Sequence, residues 1–218
     1  IITKFWFDWW EEKNTFIDLS PEWIEKQLNK SLQRLQTDYV DIYLLHSPEQ
    51  HTTPEDILET LNKLKKEWKI KSYGVCNMYG SQLQSFLEHP LSQIEYIEDF
   101  YNILEKQAER LIFPYIKKDH KFLAYSPLYR WLLTSMSMKQ LLEKDEDGIN
   151  MLLKNVSLPH FYKQKLLYEE ISKRKGISLQ ELALGFLDTN TNVDSIIYGT
   201  SDTQHLDEFL NIIHGWDL

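Results

Sequence analysis

Strand and helix patterns alternate along this chain, and the alternation predicts an α/β fold with a parallel sheet of the (β/α) barrel type. Two further observations carry the prediction. The first is Val40-Asp-Ile-Tyr-Leu-Leu45, a largely apolar run that closes in His46, Ser47 and Pro48. Such a run, bounded by turn residues, reads as a strand buried on both faces, as strands of parallel sheets are. The second is its recurrence at Lys71–Asn77, Lys121–Pro127 and Asp194–Thr200, each a short apolar run ending in polar, hydrogen-bonding residues. Active sites of βα-built folds gather at the carboxyl ends of strands, so these closing residues are the first candidates for chemistry.

The elements follow in order. Ile2–Phe5 reads as a strand. Ser20-Pro21 supplies an N-cap and a proline at the first helical position. Ile24, Leu28, Leu32 and Leu35 then recur at helical spacing and define one buried face. After the strand at 40–46, Thr53-Pro54 repeats that start, with Ile57, Leu58, Leu61 and Leu64 as the next apolar face. A strand at 71–77, a short helix over 80–88, a strand near 94–98, a helix through 106–117 and a strand at 121–126 come next. From 131 to 157 the sequence is polar and weakly periodic, which predicts a long surface excursion. A helix over 160–175 stops at Gly176, Ser178 caps another from Leu179 to Leu187, and a strand at 194–198 precedes a last helix over 202–213.

Six strands fall two short of the eight a closed barrel needs. The expectation is therefore one domain over 1–218 that lacks the first two βα units. Its open parallel edges call for cover, from a second copy, a partner chain, a rearranged N-terminus or the Trp6–Trp10 aromatic cluster.

Composition narrows the function classes. The chain has 218 residues, 42% of them hydrophobic and 26% charged, an ordinary globular balance. A net charge of −9 argues against a nucleic-acid surface, which wants a basic stripe. No apolar run approaches the roughly 20 residues of a membrane span. The lone cysteine, Cys76, excludes an intrachain disulfide and a thiolate metal cluster, so a reduced, cytoplasmic setting is expected. It reads as a small buried hydrophobe rather than a nucleophile. His51, His89, His120, His160, His205 and His214 show no ligand spacing, so no metal site is expected.

Taken together, Ile2-Thr-Lys4, Leu19-Ser-Pro-Glu22, Ser31–Asp38, Val40–His46, Gly74-Val-Cys-Asn77, Phe100-Tyr-Asn102, Ala124–Leu128 and Ile196–Thr200 resemble the aldo-keto reductase family over nearly the whole chain. The resemblance implies a TIM-barrel fold and an NAD(P)H-dependent oxidoreductase that reduces a small carbonyl compound to an alcohol. Lys4 and His46 match the family's catalytic lysine and histidine; its tyrosine and aspartate have no match in this sequence. A positioned proton donor contributes on the order of 10²–10⁴-fold. The alternative is thus a non-catalytic binding or scaffold protein that has lost the tyrosine and part of the cofactor site. A third possibility is an altered enzyme that uses the remaining pocket for another ligand.

The resemblance also assigns the cofactor, NADP or NAD. Cys76 and Asn77 stand where the family has a serine–asparagine pair for the nicotinamide carboxamide, and Glu98 stands in a glutamine's place. A carboxylate can accept from the amide NH₂ but donates nothing back unless protonated. Tyr125 matches the aromatic that stacks on the nicotinamide, while Ser126 and Leu128 match the pyrophosphate-facing segment. Gly199, Thr200 and Ser201 resemble the phosphate turn, and Glu208 the adenine-side acid. No Lys or Arg lies between Gly199 and Phe209, so little preference for a 2′-phosphate is expected. Phe209 replaces an asparagine, and Trp68 and Trp131 replace glycines, substitutions expected to fill space.

Overall fold

A computed structural model describes residues 1–5, 19–48, 53–137, 139–143 and 158–215. Six strands appear among them: β1 (Ile2–Phe5), β2 (Val40–Leu45), β3 (Ile70–Cys76), β4 (Ile94–Phe100), β5 (Lys121–Tyr125) and β6 (Ser195–Ile197). They are ordered in one sheet as they are in the chain, and the registers from β1 to β4 are parallel. The α/β architecture and parallel pairing agree with the expectation. The chain separates into two compact units, residues 1–99 with 107–123, and residues 100–106 with 124–218.

In the first unit, helix α1 (Pro21–Leu35) starts where Ser20 accepts a hydrogen bond from the Trp23 amide at 3.3 Å, and it buries Ile24 and Leu28. Helix α2 (Pro54–Lys66) buries Ile57, Leu58, Leu61 and Leu64, the face its spacing predicts. Thr53 is its N-cap by backbone geometry but makes no side-chain cap bond. Helix α3 is Gly80–Leu87. Helix α4 is much shorter than expected: it covers only Ala108–Leu111, not 106–117. Pro114, without an amide proton, cannot continue an α-helical ladder.

Gly74 sets the spacing of two strands. It pairs with Tyr96 at a register shift between Tyr73 and Gly74, and a Cβ built on it would lie 2.0 Å from the Tyr96 carbonyl oxygen. Only glycine admits that approach.

The second unit packs helices α5 (Leu158–Lys175), α6 (Leu179–Asp188) and α7 (Thr203–His214) with β6. Gly176, at φ 68°, closes α5 as predicted, and Ser178 with Glu181 forms a reciprocal capping box on α6. The surface excursion needs correction. Leu132, Leu133, Thr134 and Leu141 are buried, and the three leucines belong to a core cluster with Leu128, Tyr129, Leu179, Ala183 and Leu184. Residues 144–157 lie outside the described residues, as do Trp6–Trp10. The start of the stretch is core because the chain turns back sharply. Tyr129, Arg130 and Trp131 all have positive φ, and Leu133 N donates to Leu128 O at 3.1 Å.

Candidate functional site

In the first unit, the strand ends assemble polar residues on one face of the sheet. Lys4 pairs in register with Leu44, and His46 follows two residues on, so both project to the same side. Cys76 pairs with Glu98 two residues beyond Gly74 and Tyr96, adding two more residues to this region. The His46 amide donates to Phe5 O at 3.0 Å, extending the pairing of β1 and β2 past Leu45.

Lys4 Nζ donates to Glu98 Oε1 at 2.6 Å. Strands β1 and β4 have two strands between them, roughly 14 Å in a flat sheet. A contact this short therefore requires the face carrying both residues to be concave. The Glu98 side chain is 5% exposed and the Lys4 side chain 30% exposed, so a buried carboxylate meets a partly solvated ammonium. A buried acid needs such a partner, because an unpaired charge out of water is costly.

The neighbouring acid is served differently. Asp99, also buried, accepts from the Tyr79 hydroxyl at 2.9 Å. Two consecutive acids in a buried strand thus go to two different donors, as alternation along a strand requires.

Asn77 links the strands. Its backbone is left-handed, at φ 53°, its amide donates to Glu98 O at 3.2 Å, and its Nδ2 donates to His46 O at 2.8 Å. Burial holds the pKa of His46 below its ordinary value, and the nearby Lys4 charge adds to that while Glu98 opposes it. The imidazole therefore favours its neutral form, one nitrogen donating and the other accepting. Burial pushes the Cys76 thiol well up, and only 1% of that residue is exposed, which fits the small-hydrophobe reading.

The remaining candidates lie in the second unit. Tyr125 is half-buried, its ring 5.5 Å from that of Phe100, and Ser126 has a left-handed backbone at φ 54° with its carbonyl accepting from Asn102 Nδ2 at 3.1 Å. Leu128 is buried in the core cluster. Gly199, Thr200 and Ser201 form the turn into α7, where the Thr200 hydroxyl accepts from the Asp202 amide at 3.1 Å. Open space surrounds the position a Gly199 Cβ would take. Glu208 contributes to the raised pKa of Tyr198, behind burial as the main cause.

Two substituted positions have different fates. Trp131 packs at 4.5 Å on His205 and 6.0 Å from Tyr198, which in turn stacks on Phe209 at 4.2 Å. Trp68, however, is 83% exposed, so the expectation that it fills space is wrong. It occupies the left-handed position after α2, at φ 60°, and its ring meets solvent. Sequence reasoning also missed the Lys4–Glu98 pair and the Tyr79–Asp99 bond. The signal was there: two adjacent carboxylates, Glu98 and Asp99, inside a strand demand donors. Among the described residues, no three His, Cys, Asp or Glu side chains come together as a metal site, and no helix is long and apolar enough to cross a membrane.

The Aldo/keto reductase family profile matches residues 1–215, and the chain belongs to that family. It is 29% identical over 215 residues to aldo-keto reductase YhdN of Bacillus subtilis, covering 96% of this chain and 63% of that protein. It is 25% identical over 202 residues to the NADH-specific methylglyoxal reductase of Escherichia coli, covering 90% of this chain and 61% of that protein. Among solved structures it resembles the holo form of aldo-keto reductase AKR11C1 from Bacillus halodurans. The TM-score is 0.76 at 25% identity, over 97% of this chain and 65% of that one. The chain thus spans a little over three-fifths of the length of these relatives.

Proposed function

We propose that this chain carries the carbonyl-polarising part of an NAD(P)H-dependent aldo-keto reductase that reduces a small carbonyl compound to an alcohol. The observation that supports it best is the Lys4 ammonium held at 2.6 Å by a buried carboxylate at the strand ends, in the electrostatic reach of His46. When bound, a reduced nicotinamide supplies the hydride to the carbonyl carbon. The charge that then develops on the carbonyl oxygen is stabilised by fixed donors, which act without reorganising. The Lys4 ammonium and an N–H of His46 are those donors in this reading, and the oxygen takes its proton from the ammonium, which solvent reaching the 30% exposed Lys4 side chain reprotonates.

Asn77 is fixed by its own backbone bond to Glu98, and we assign it to the carboxamide. Tyr125 is assigned to the nicotinamide ring, Ser126 and Leu128 to the pyrophosphate side, and Gly199, Thr200, Ser201 and Glu208 to the phosphate turn and adenine side. Cys76, almost fully buried, serves as packing beneath Asn77. A loop free of Lys and Arg from Gly199 to Phe209 favours NADH over NADPH.

A second reading has its own observation. The stack of Tyr198 on Phe209, with Trp131 on His205, commits aromatic rings in the segment assigned to the adenine side. That favours a non-catalytic family member with a reduced nucleotide site. Fluorescence titration of the full chain with NADH and NADPH, followed by turnover with a panel of small aldehydes, separates the two. Saturable NADH binding with aldehyde-dependent oxidation supports the reductase; binding of neither nucleotide supports the non-catalytic protein.

A further inference from the structure

We infer that Glu98 is a positioning residue whose carboxylate fixes Lys4, and that this, rather than contact with a cofactor amide, is what an acid at this position provides. The inference deepens the reductase reading and rests on it for the role of Lys4. Three observations carry it. Glu98 Oε1 lies 2.6 Å from Lys4 Nζ, and the acid is buried while the lysine is partly solvated. A lysine has four rotatable side-chain bonds, so it holds one place only if something anchors its head group. The anchor is itself rigid, since Glu98 is in register with Cys76 and its carbonyl accepts from Asn77 N at 3.2 Å.

Those bonds make a closed frame. Phe5 O accepts from His46 N, His46 O accepts from Asn77 Nδ2, and Glu98 O accepts from Asn77 N. The Glu98 carboxylate then returns to Lys4, next to Phe5. Among the described residues, the charged and titratable groups in this region include Lys4 from β1, His46 after β2, Cys76 from β3, Tyr79, and Glu98 and Asp99 from β4. Glu98→Gln keeps the shape and removes the charge; Glu98→Asp keeps the charge and shortens the reach.

The test uses the full chain and four readouts. Acetylation of Lys4 by acetic anhydride, mapped by mass spectrometry against the other lysines, should quicken roughly threefold or more in Glu98→Gln as the charge-assisted bond is lost. It should move back toward the parent rate in Glu98→Asp. The His46 imidazole, followed by NMR, should titrate lower in Glu98→Gln, which removes the opposing negative charge, and higher in Lys4→Met. Turnover of an aldehyde should fall by roughly tenfold or more, since misplaced groups lose rate steeply. The NADH dissociation constant should change by less than about twofold. Unchanged Lys4 acetylation and His46 titration in Glu98→Gln overturn the inference, as does a change confined to NADH affinity. If the parent shows no reductase activity, the proposed function fails while the first two readouts still decide the role of Glu98.

Discussion

Replacing Gly74 with alanine probes the frame at its tightest point. The added Cβ would meet three atoms of Tyr96 on β4: the carbonyl oxygen at 2.0 Å, the carbonyl carbon at 2.7 Å and the Cβ at 2.8 Å. Two of the three are backbone, so no rotamer change relieves the clash. Ordinary contact between carbon atoms is about 3.5–4.0 Å. The strands must therefore separate by more than about 1 Å at this register. Overpacking of this kind costs about 1–3 kcal/mol, occasionally more. In a chain of this length each kcal/mol moves the melting temperature by about 2–4 °C, so a drop of roughly 6–12 °C is expected for a cost near the top of that range. The consequence reaches the site, because Glu98 stands two residues beyond Tyr96 and Cys76 two beyond Gly74. On the proposed reductase reading, a shift of about 1 Å there should lower aldehyde turnover by up to about 100-fold. Urea unfolding and steady-state kinetics on Gly74→Ala and the parent measure both effects. A variant within about 0.5 kcal/mol of the parent and equally active would show that β3 and β4 do not make this approach.

Three further outcomes are expected. Trp68→Gly should stabilise the protein by about 1 kcal/mol, because Trp68 holds φ 60° with its ring 83% exposed and glycine adopts that conformation freely; a lower urea midpoint would contradict this. Ser178→Ala removes a hydroxyl that accepts from Glu181 N at 3.0 Å, and should cost about 1 kcal/mol by the same measurement; a neutral result would deny the cap a role. The folded-state pKa of His46 is held below the ordinary value of 6.5, chiefly by burial, so the unfolded chain takes up its proton first. Its contribution to stability is thus present above pH 6.5 and lost as pH falls through the lower folded value. His120 is shifted in the same direction, also mainly by burial. His46→Gln should flatten, without abolishing, the decline in urea midpoint below neutral pH; an unchanged slope would mean that His46 is not desolvated.

Much of the architecture was legible because it depends on local pattern. Apolar runs such as Val40–Leu45 admit few structures, and Ser20-Pro21, Lys175-Gly176 and Ser178 mark helix ends through local capping chemistry. The errors fall where tertiary packing decides. Tyr129, Arg130 and Trp131 are not residues that favour positive φ, so the left-handed turn that buries Leu132 and Leu133 has no sequence signature. The helix through 106–117 has helical spacing but stops early, before Pro114. Lys4 and Glu98 are 94 residues apart, and their meeting follows from curvature of the sheet, which residue types do not encode one by one. The site residues came from resemblance; their partners came from geometry.

The two tryptophans that replace family glycines show which departures bear on function. Both keep a backbone that glycine adopts easily, at φ 60° for Trp68 and 69° for Trp131. Left-handed geometry costs an ordinary residue about 1–2 kcal/mol, so each must be held by its surroundings. For Trp68 the holding is purely backbone: its amide donates to Lys65 O at 3.1 Å and the Lys69 amide to Leu64 O at 3.1 Å, a helix-ending pattern indifferent to the side chain. Trp68 therefore carries no information about the nucleotide. Trp131 is different, because its ring rests on His205 at the first turn of α7, close to Tyr198 and its stacked partner Phe209. Its side chain contributes contacts that a glycine could not make, in the segment assigned to the adenine side. Reductase and non-catalytic protein therefore differ most at Trp131, Phe209 and Glu98. With Glu98 occupied by Lys4, its carboxylate is withdrawn from the carboxamide, so on the non-catalytic reading loss of nucleotide binding originates there as well as at the aromatic rings.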